Sequence, residues 1–402
     1  MKLGILGYGV VGSGLINMID KDSKDRGIEI KGILVKDKRK HIDKKHYEKI
    51  TEDIEDIFSE DIDTLVELIG DEENAYKYIK RALENGINVV TANKAVIADY
   101  GDELINIARE KGVSLRFEAS VAGGVPVIKV LSEAMSGNQI KSINAILNGT
   151  TNFILSKMHD EKLEYKDALK KAQEVGFAEA DPSADVFGYD AARKLAILSN
   201  IAFEKRVNWK DLYICGIDKV SALDIDSASE LGCRIKLICH SEVENGKVSG
   251  YVRPAAVETG NPLSGIVNEN NLVEICGDSV GKIALVGKGA GSFATGSAVY
   301  SDVTDIIENP GSNLSEISDE ITNVYKNPEK KEDFIVRYPV ESYEVVENIL
   351  SDNNLIFRKI LSKDGDISVF IEKVTEKKLD EIDEYLKNTG FQKSSIRIIK
   401  ID

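Results

Sequence analysis

The sequence predicts an α/β protein: a doubly wound parallel sheet at the N-terminus, then a mixed α+β unit, then a small βαββαβ block. Three observations carry this reading. A short apolar strand runs straight into Gly7-Tyr8-Gly9-Val10-Val11-Gly12 and then into a helix-periodic stretch through Leu15 and Ile19. Strand and helix patterns then alternate to about residue 117, as a parallel sheet with crossover helices requires. From Phe334 onward the order is strand, helix, two strands, helix, strand.

Taken in order, residues 2–6 read as the first buried strand, ending at the glycine turn. Further strands are expected at 28–35, 64–69, 88–91 and 113–117, with helices near 73–84 and 102–110. These give a first domain over residues 1–130. After Pro126 the rhythm changes: a helix through Met135, a strand at 142–147, helices near 152–158, 165–174 and 191–201. Residues 221–291 hold β-rich runs such as 234–239 and 247–253, so residues 131–294 form a second, mixed domain that ends in Gly287-Lys-Gly-Ala-Gly291. A polar segment over 309–332, with Pro310 and Pro328, separates the third block, 333–402. Its strands fall at 334–337, 355–361, 367–371 and 396–401, its helices at 343–350 and 379–388.

Bulk properties narrow the function. A chain of 402 residues exceeds one core and suggests two or three domains. Its net charge of −16 would repel a phosphate backbone, which argues against nucleic acid as a partner. No apolar run is long enough to cross a bilayer and no signal-peptide pattern opens the chain, so a cytoplasmic protein without a membrane partner is expected. Cys215, Cys233, Cys239 and Cys276 have irregular spacing, and the four histidines show no metal-ligand spacing. Neither a disulfide framework nor transition-metal chemistry is expected.

The glycine turn points to a Rossmann dinucleotide site. Gly7 makes the tight turn, Gly9 lets a pyrophosphate approach the backbone beside Val10 and Val11, and Gly12 lets helix and strand pack; the helix N-terminus supplies N–H donors. After the second strand comes Lys36-Asp37-Lys38-Arg39-Lys40. The basic run favours NADP, with Lys36 as the contact to its 2′-phosphate, while Asp37 keeps NAD open. A second cluster runs from Ala178 to Lys194 and gathers Glu179, Asp185, Asp190, Arg193 and Lys194 around one helix start. Asp190 and Lys194 are four apart and share a helix face.

Three motifs in sequence order resemble the homoserine dehydrogenase family: Thr91-Ala92-Asn93-Lys94, Asn148-Gly149-Thr150-Thr151-Asn152, and the cluster from Ala172 and Gly176 through Asp181-Pro182, Asp185, Gly188 and Asp190 to Lys194. The resemblance covers residues 1 to about 305. It implies hydride transfer between a nicotinamide and L-homoserine or L-aspartate 4-semialdehyde, within threonine, methionine and isoleucine biosynthesis. It implies Lys194 as the proton-transfer group, Lys94 near the reacting carbon and nicotinamide, and Asp190 as the residue orienting Lys194. A lysine desolvated in a closed site or crowded by another cation exchanges its proton near neutrality. Glu179 would bind the substrate ammonium, Asp185 its polar shell, and Gly149 and Thr150 its amino-acid end. Thr91 and Gly289 would join the glycine turn around the cofactor.

By the same resemblance, Glu118, Val121, Gly123 and Val125 would hold a structural sodium ion, to which oxygen ligands suit. A homodimer is implied. The last block resembles ACT-type regulatory domains in element order only, since Tyr338-Pro339-Val340-Glu341-Ser342 lacks their Pro-Gly turn. Two rivals remain. Aspartate-semialdehyde dehydrogenase chemistry needs an activated thiolate with a histidine base, and a nucleotide-binding sensor without turnover would not need both lysines.

Overall fold

The glycine turn lies where the pattern places it. β1 (Lys2–Leu6) ends at the turn and α1 (Val10–Arg26) begins beyond it. There follow β2 (Glu29–Leu34), β3 (Ile50–Thr51), α2 (Ile54–Ser59), β4 (Thr64–Glu67), α3 (Glu72–Glu84), β5 (Asn88–Thr91), α4 (Lys94–Lys111) and β6 (Leu115–Arg116). The six strands make one parallel sheet in the order β3-β2-β1-β4-β5-β6. The order reverses between β1 and β4, and ligands of such sheets bind outside the carboxyl ends at that point. Leu6 and Glu67 therefore end their strands beside the expected cofactor crevice.

This computed structural model describes residues 1–311, 318–321, 324, 329–340, 342–388 and 396–401. Half of the expected polar segment, Pro328 included, lies outside the described residues, as does Glu341. The remaining elements are α5 (Val127–Lys129), which widens into a π-helical turn over Val130–Ala134, then β7 (Ile140–Ile146), α6 (Gly149–Glu161), α7 (Tyr165–Glu174), α8 (Ser183–Val186) and α9 (Tyr189–Phe203). Next come β8 (Lys205–Arg206), β9 (Tyr213–Ile214), α10 (Ala222–Glu230), β10 (Cys233–Glu244), β11 (Lys247–Glu258), β12 (Asn270–Gly277) and β13 (Gly281–Lys288). The chain closes with α11 (Ser292–Glu308), β14 (Ser318–Ile321), β15 (Lys331–Tyr338), α12 (Tyr343–Asp352), β16 (Ile356–Lys363), β17 (Asp366–Thr375), α13 (Glu376–Asn388) and β18 (Ile396–Ile401).

The chain divides into two compact units: Met1–Lys141 with Arg193–Trp209 and Val273–Asn323, and Ser142–Ala192 with Lys210–Leu272 and Val324–Asp402. In the first, α1 packs on α11, and Leu15, Ile16 and Ile19 share a core with Val299, Val303 and Ile306. The close approach is built on glycine: a Cβ at Gly14 would stand 2.0 Å from the Ser292 carbonyl oxygen. Aspartate or asparagine starts three of its helices, Asp53, Asp71 and Asn93 each accepting a backbone N–H of the first turn. Asn93 also explains why α4 begins at Lys94 rather than near 102, with the buried Gly101 carried inside the helix.

In the second unit β10 and β11 form a long antiparallel hairpin closed by Asn245-Gly246, both at positive φ as a tight hairpin turn requires. β7 pairs with the free edge of β10, and β18 runs parallel to β11. Beyond it lie β15, β17 and β16, antiparallel throughout. The block from β15 to β18 thus has the expected βαββαβ order, and its strands continue the sheet of the hairpin. Within the mixed region 221–291 the first element is a helix, α10, whose start is fixed by a capping box between Ser221 and Asp224. The sequence offered that signal.

Candidate active site

The surroundings of each glycine of the turn fit the task its position suggests. Gly7 has φ of +106°, and a Cβ there would lie 2.7 Å from the Leu68 carbonyl oxygen. A Cβ at Gly12 would lie 2.3 Å from the Gly7 carbonyl oxygen, so only glycine lets the helix pack on the turn. Gly9 has nothing within 4 Å of such an atom, and the following Val10 is 68% exposed. Backbone N–H groups of Val10, Val11 and Gly12 at the start of α1 face no obstruction by a side chain at Gly9, as a bound pyrophosphate needs.

At the end of β2, Lys36 is exposed. Asp37 is occupied: its carboxylate caps the turn Lys38–His41 by accepting the Arg39 N–H at 3.1 Å and pairs with the Arg39 guanidinium at 3.0 Å. The Arg39 hydrogen bonds hold the Asp37 carboxyl below its usual range.

The next strand end holds a group that the sequence reading missed. Glu67 is fully buried at the carboxyl end of β4, opposite Thr91 of β5. Its carboxylate accepts the Ile69 N–H at 2.7 Å and the Thr91 hydroxyl, and Thr91 in turn accepts the Asn93 N–H at 2.9 Å. Burial pushes Glu67 up to about 7, against the pull of these donors. Glu67 therefore organises the turn Thr91-Ala-Asn93 that delivers Lys94 as the first residue of α4.

The loop proposed for sodium is packed against the turn after β13. A Cβ at Gly123, φ +57°, would lie 2.3 Å from the Gly289 carbonyl oxygen, and the Gly124 N–H donates to the Lys288 carbonyl at 3.1 Å. Val121 and Val125 are buried. The Glu118 carboxylate accepts the Ile128 and Lys129 N–H groups, both at 2.8 Å, while Asp302 accepts the Glu118 N–H at 2.9 Å. Burial raises Glu118 to about 7, and burial with the nearby Glu118 raises Asp302 well above the carboxylate range.

In the second unit the keystone is Asn148. Its oxygen caps α6 by accepting the Thr151 N–H at 2.8 Å, and its amide donates to Asp185 at 2.6 Å and Asp190 at 2.9 Å. One side chain thus ties the start of α6 to two acids of the 179–190 cluster. Asp190 is buried, and Lys194 stands one helical turn further along α9. Thr150 donates its hydroxyl to the Phe177 carbonyl at 2.7 Å, which brings the loop before Glu179 onto α6; Glu179 itself is exposed. Gly149 is packed under a Glu269 carbonyl that would be 3.1 Å from a Cβ. Gly188, φ +85°, turns the chain into α9. Arg193 lies over the Trp209 ring at 4.7 Å, as a residue outside the chemistry.

The geometry therefore places Gly7, Gly9, Gly12, Lys36, Thr91, Lys94 and Gly289 in the first unit, and Gly149, Thr150, Glu179, Asp185 and Asp190 in the second. Lys194 belongs to the part of α9 that falls in the first.

Known proteins match both halves. The family model described as homoserine dehydrogenase, NAD binding domain, matches residues 7–118, and that described as homoserine dehydrogenase matches residues 126–304. A homoserine dehydrogenase of Bacillus subtilis is 37% identical over 90% of this chain and 87% of its own, and one of Synechocystis 42% over 76% and 73%. The solved homoserine dehydrogenase of Thiobacillus denitrificans superposes with a TM-score of 0.91 at 31% identity, covering 100% of this chain and 98% of that one. A hyperthermophilic archaeal homoserine dehydrogenase in complex with NADPH reaches 0.67 at 28% identity, over 79% of this chain and 99% of that one.

Proposed function

The chain belongs to the homoserine dehydrogenase family, and from that premise we propose how its residues divide the work. The enzyme is an NAD(P)-dependent oxidoreductase that interconverts L-homoserine and L-aspartate 4-semialdehyde, a step in amino-acid biosynthesis. The nicotinamide, when bound, supplies the hydride acceptor or donor. Gly7, Gly9, Val10, Val11 and Gly12 bind the pyrophosphate, and Thr91, Lys94 and Gly289 hold the nicotinamide end. Glu179 takes the substrate ammonium, Asp185 completes its polar surroundings, and Gly149 and Thr150 hold the amino-acid end. As the C4 hydride of homoserine leaves, Lys194 accepts the hydroxyl proton, so that the carbinol becomes the aldehyde; in the reverse direction it returns that proton to the new alcohol. Asp190 fixes the lysine from one helical turn away, and Lys94 adds positive charge beside the reacting oxygen.

The observation that carries this assignment is the Asn148 bond pair, which locks Asp185 and Asp190 to the start of α6. Its test is Lys194→Ala. Turnover should fall by about three orders of magnitude or more while NADPH binding, read by nicotinamide fluorescence, stays within about twofold of wild type. Near-normal turnover would end the assignment.

NADP is the favoured cofactor: Asp37 is committed to Arg39 and the local turn, while Lys36 is exposed at the place of the 2′-phosphate, and a family neighbour carries NADPH. For sodium, Glu118, Val121, Gly123 and Val125 would supply the oxygens. Glu118 and Asp302 are acids buried near one another, and a cation beside them would offset the repulsion between their ionised forms. The melting temperature should then be higher in sodium than in choline chloride of equal ionic strength.

We read the block from β15 to β18 as ACT-like, which its strand order β18-β15-β17-β16 supports. Its role here is structural: Arg337 pairs with Asp224 of α10 at 2.9 Å and Asp366 at 2.7 Å, and the buried Arg253 of β11 pairs with Glu376 of α13. We place the working form as a cytoplasmic homodimer, measurable by light scattering. Among the described residues no helix is long and apolar enough to cross a membrane.

A further inference from the structure

Lys236 lies in β10 and is 1% exposed, among the largest fully buried side chains of the molecule. Among the described residues no carboxylate pairs with it; the Arg234 guanidinium nearby is bound to Asp160 at 2.7 Å. A buried, unpaired ammonium is costly and persists only where its hydrogen bonds perform a task. Lys236 donates to the side-chain oxygen of Asn152 in α6 at 3.1 Å and to the Ile266 carbonyl.

Those two acceptors join two segments. The Asn152 amide donates to the carbonyls of Asn268, at 2.9 Å, and Asn270, at 3.4 Å. Ser156 closes the set, donating to the Asn152 carbonyl at 2.7 Å and accepting the Asn268 N–H at 3.3 Å. Asn268 sits at φ +56°, a backbone conformation that needs such support. The same loop lays the Glu269 carbonyl against Gly149.

We propose that Lys236 is a positioning residue for the substrate: it clamps the 266–270 loop to α6 and so sets the Asn148-Gly149-Thr150 turn that receives the amino-acid end of homoserine. The inference rests on the assignment of Gly149 and Thr150 to that end. Burial pushes Lys236 down to about 7, which reflects how dry the clamp is.

The test is steady-state kinetics of the full chain. Lys236→Met should raise the homoserine KM about tenfold while kcat and the NADP KM stay within about twofold, a split that a general loss of structure does not produce. Asn152→Ala, which keeps the lysine, should give the same split and serves if the first variant does not fold. The double variant should be no worse than the worse single, since both break one network. Equal losses in kcat and both KM values, or unchanged kinetics, overturn the clamp. Thr150→Val is run alongside. If it leaves the homoserine KM unchanged, the substrate-loop assignment itself falls and takes the inference with it. If it raises the KM while Lys236→Met and Asn152→Ala do not, only the clamp falls.

Discussion

The two units contrast in the buried ionisable group that supports their loops. Beneath the cofactor loops of the first lie acids, Glu67 and Glu118, both raised to about 7 by burial. In the second, beside buried acids such as Asp190, lie buried bases. Lys236 is lowered to about 7 and His159 to about 3, the latter by burial and by the positive charges of Arg234, Lys236 and Lys162 nearby; its Nε2 accepts the Ile235 N–H at 2.8 Å. The difference follows from what each loop offers the group beneath it. The turn over Glu67 presents N–H and O–H donors, which want an acceptor. The segments over Lys236 present carbonyl oxygens, which want a donor. In each case the buried group matches the donors or acceptors that backbone and side chains turn toward it, and burial favours its neutral form.

The largest expected effect that probes this contrast is Asn148→Ala, on the substrate side. It removes a helix cap and two bonds to buried or half-buried acids, so it should cost about 2–3 kcal/mol in chemical denaturation and weaken homoserine far more than NADPH. Equal weakening of both ligands would break the division between the units.

Next is the pH dependence of stability. Glu67 in the folded chain holds its proton to about 7 against 4.5 in the unfolded chain, so folding loses stability as pH rises through that interval and the penalty is complete above it. Lys236 acts on the other limb: its folded value of about 7 against 10.5 means stability is regained as pH rises from about 7 toward 10.5. Glu67→Gln should flatten the first limb by about 3 kcal/mol or less and leave the second unchanged, as urea midpoints across pH would record. The smallest effect is Lys36→Ala, expected to raise the NADP KM about tenfold and leave the NADP-independent stability alone. An equal rise for NAD would show that Lys36 does not read the phosphate.

How far the sequence revealed this can be argued residue by residue. The glycine turn, the parallel strands and the βαββαβ order were legible, because glycine spacing and apolar runs are local signals. α4 was read too short because Gly101 interrupts the pattern, although Asn93 marked its start. Glu67 and Lys236 were not legible. Glu67 is one acid inside Leu65-Val66-Glu67-Leu68, and nothing local shows that a turn from another strand crosses it. Lys236 alternates between Ile235 and Leu237 as an outward residue would, yet both faces of that part of β10 are covered. Asn148 stood inside a motif, but its bonds to acids some forty positions later are a tertiary fact. The cluster that ends at Lys194 was visible as charge density; the anchor that arranges it was not.

The packing of α1 on α11 has a consequence for biogenesis. The apolar face of Leu15, Ile16 and Ile19 leaves the ribosome nearly three hundred residues before its partners Val299, Val303 and Ile306. At about 5–20 residues per second, that face waits on the order of tens of seconds uncovered. Truncation before Ser292 removes those partners and leaves the face of α1 as an open apolar seam.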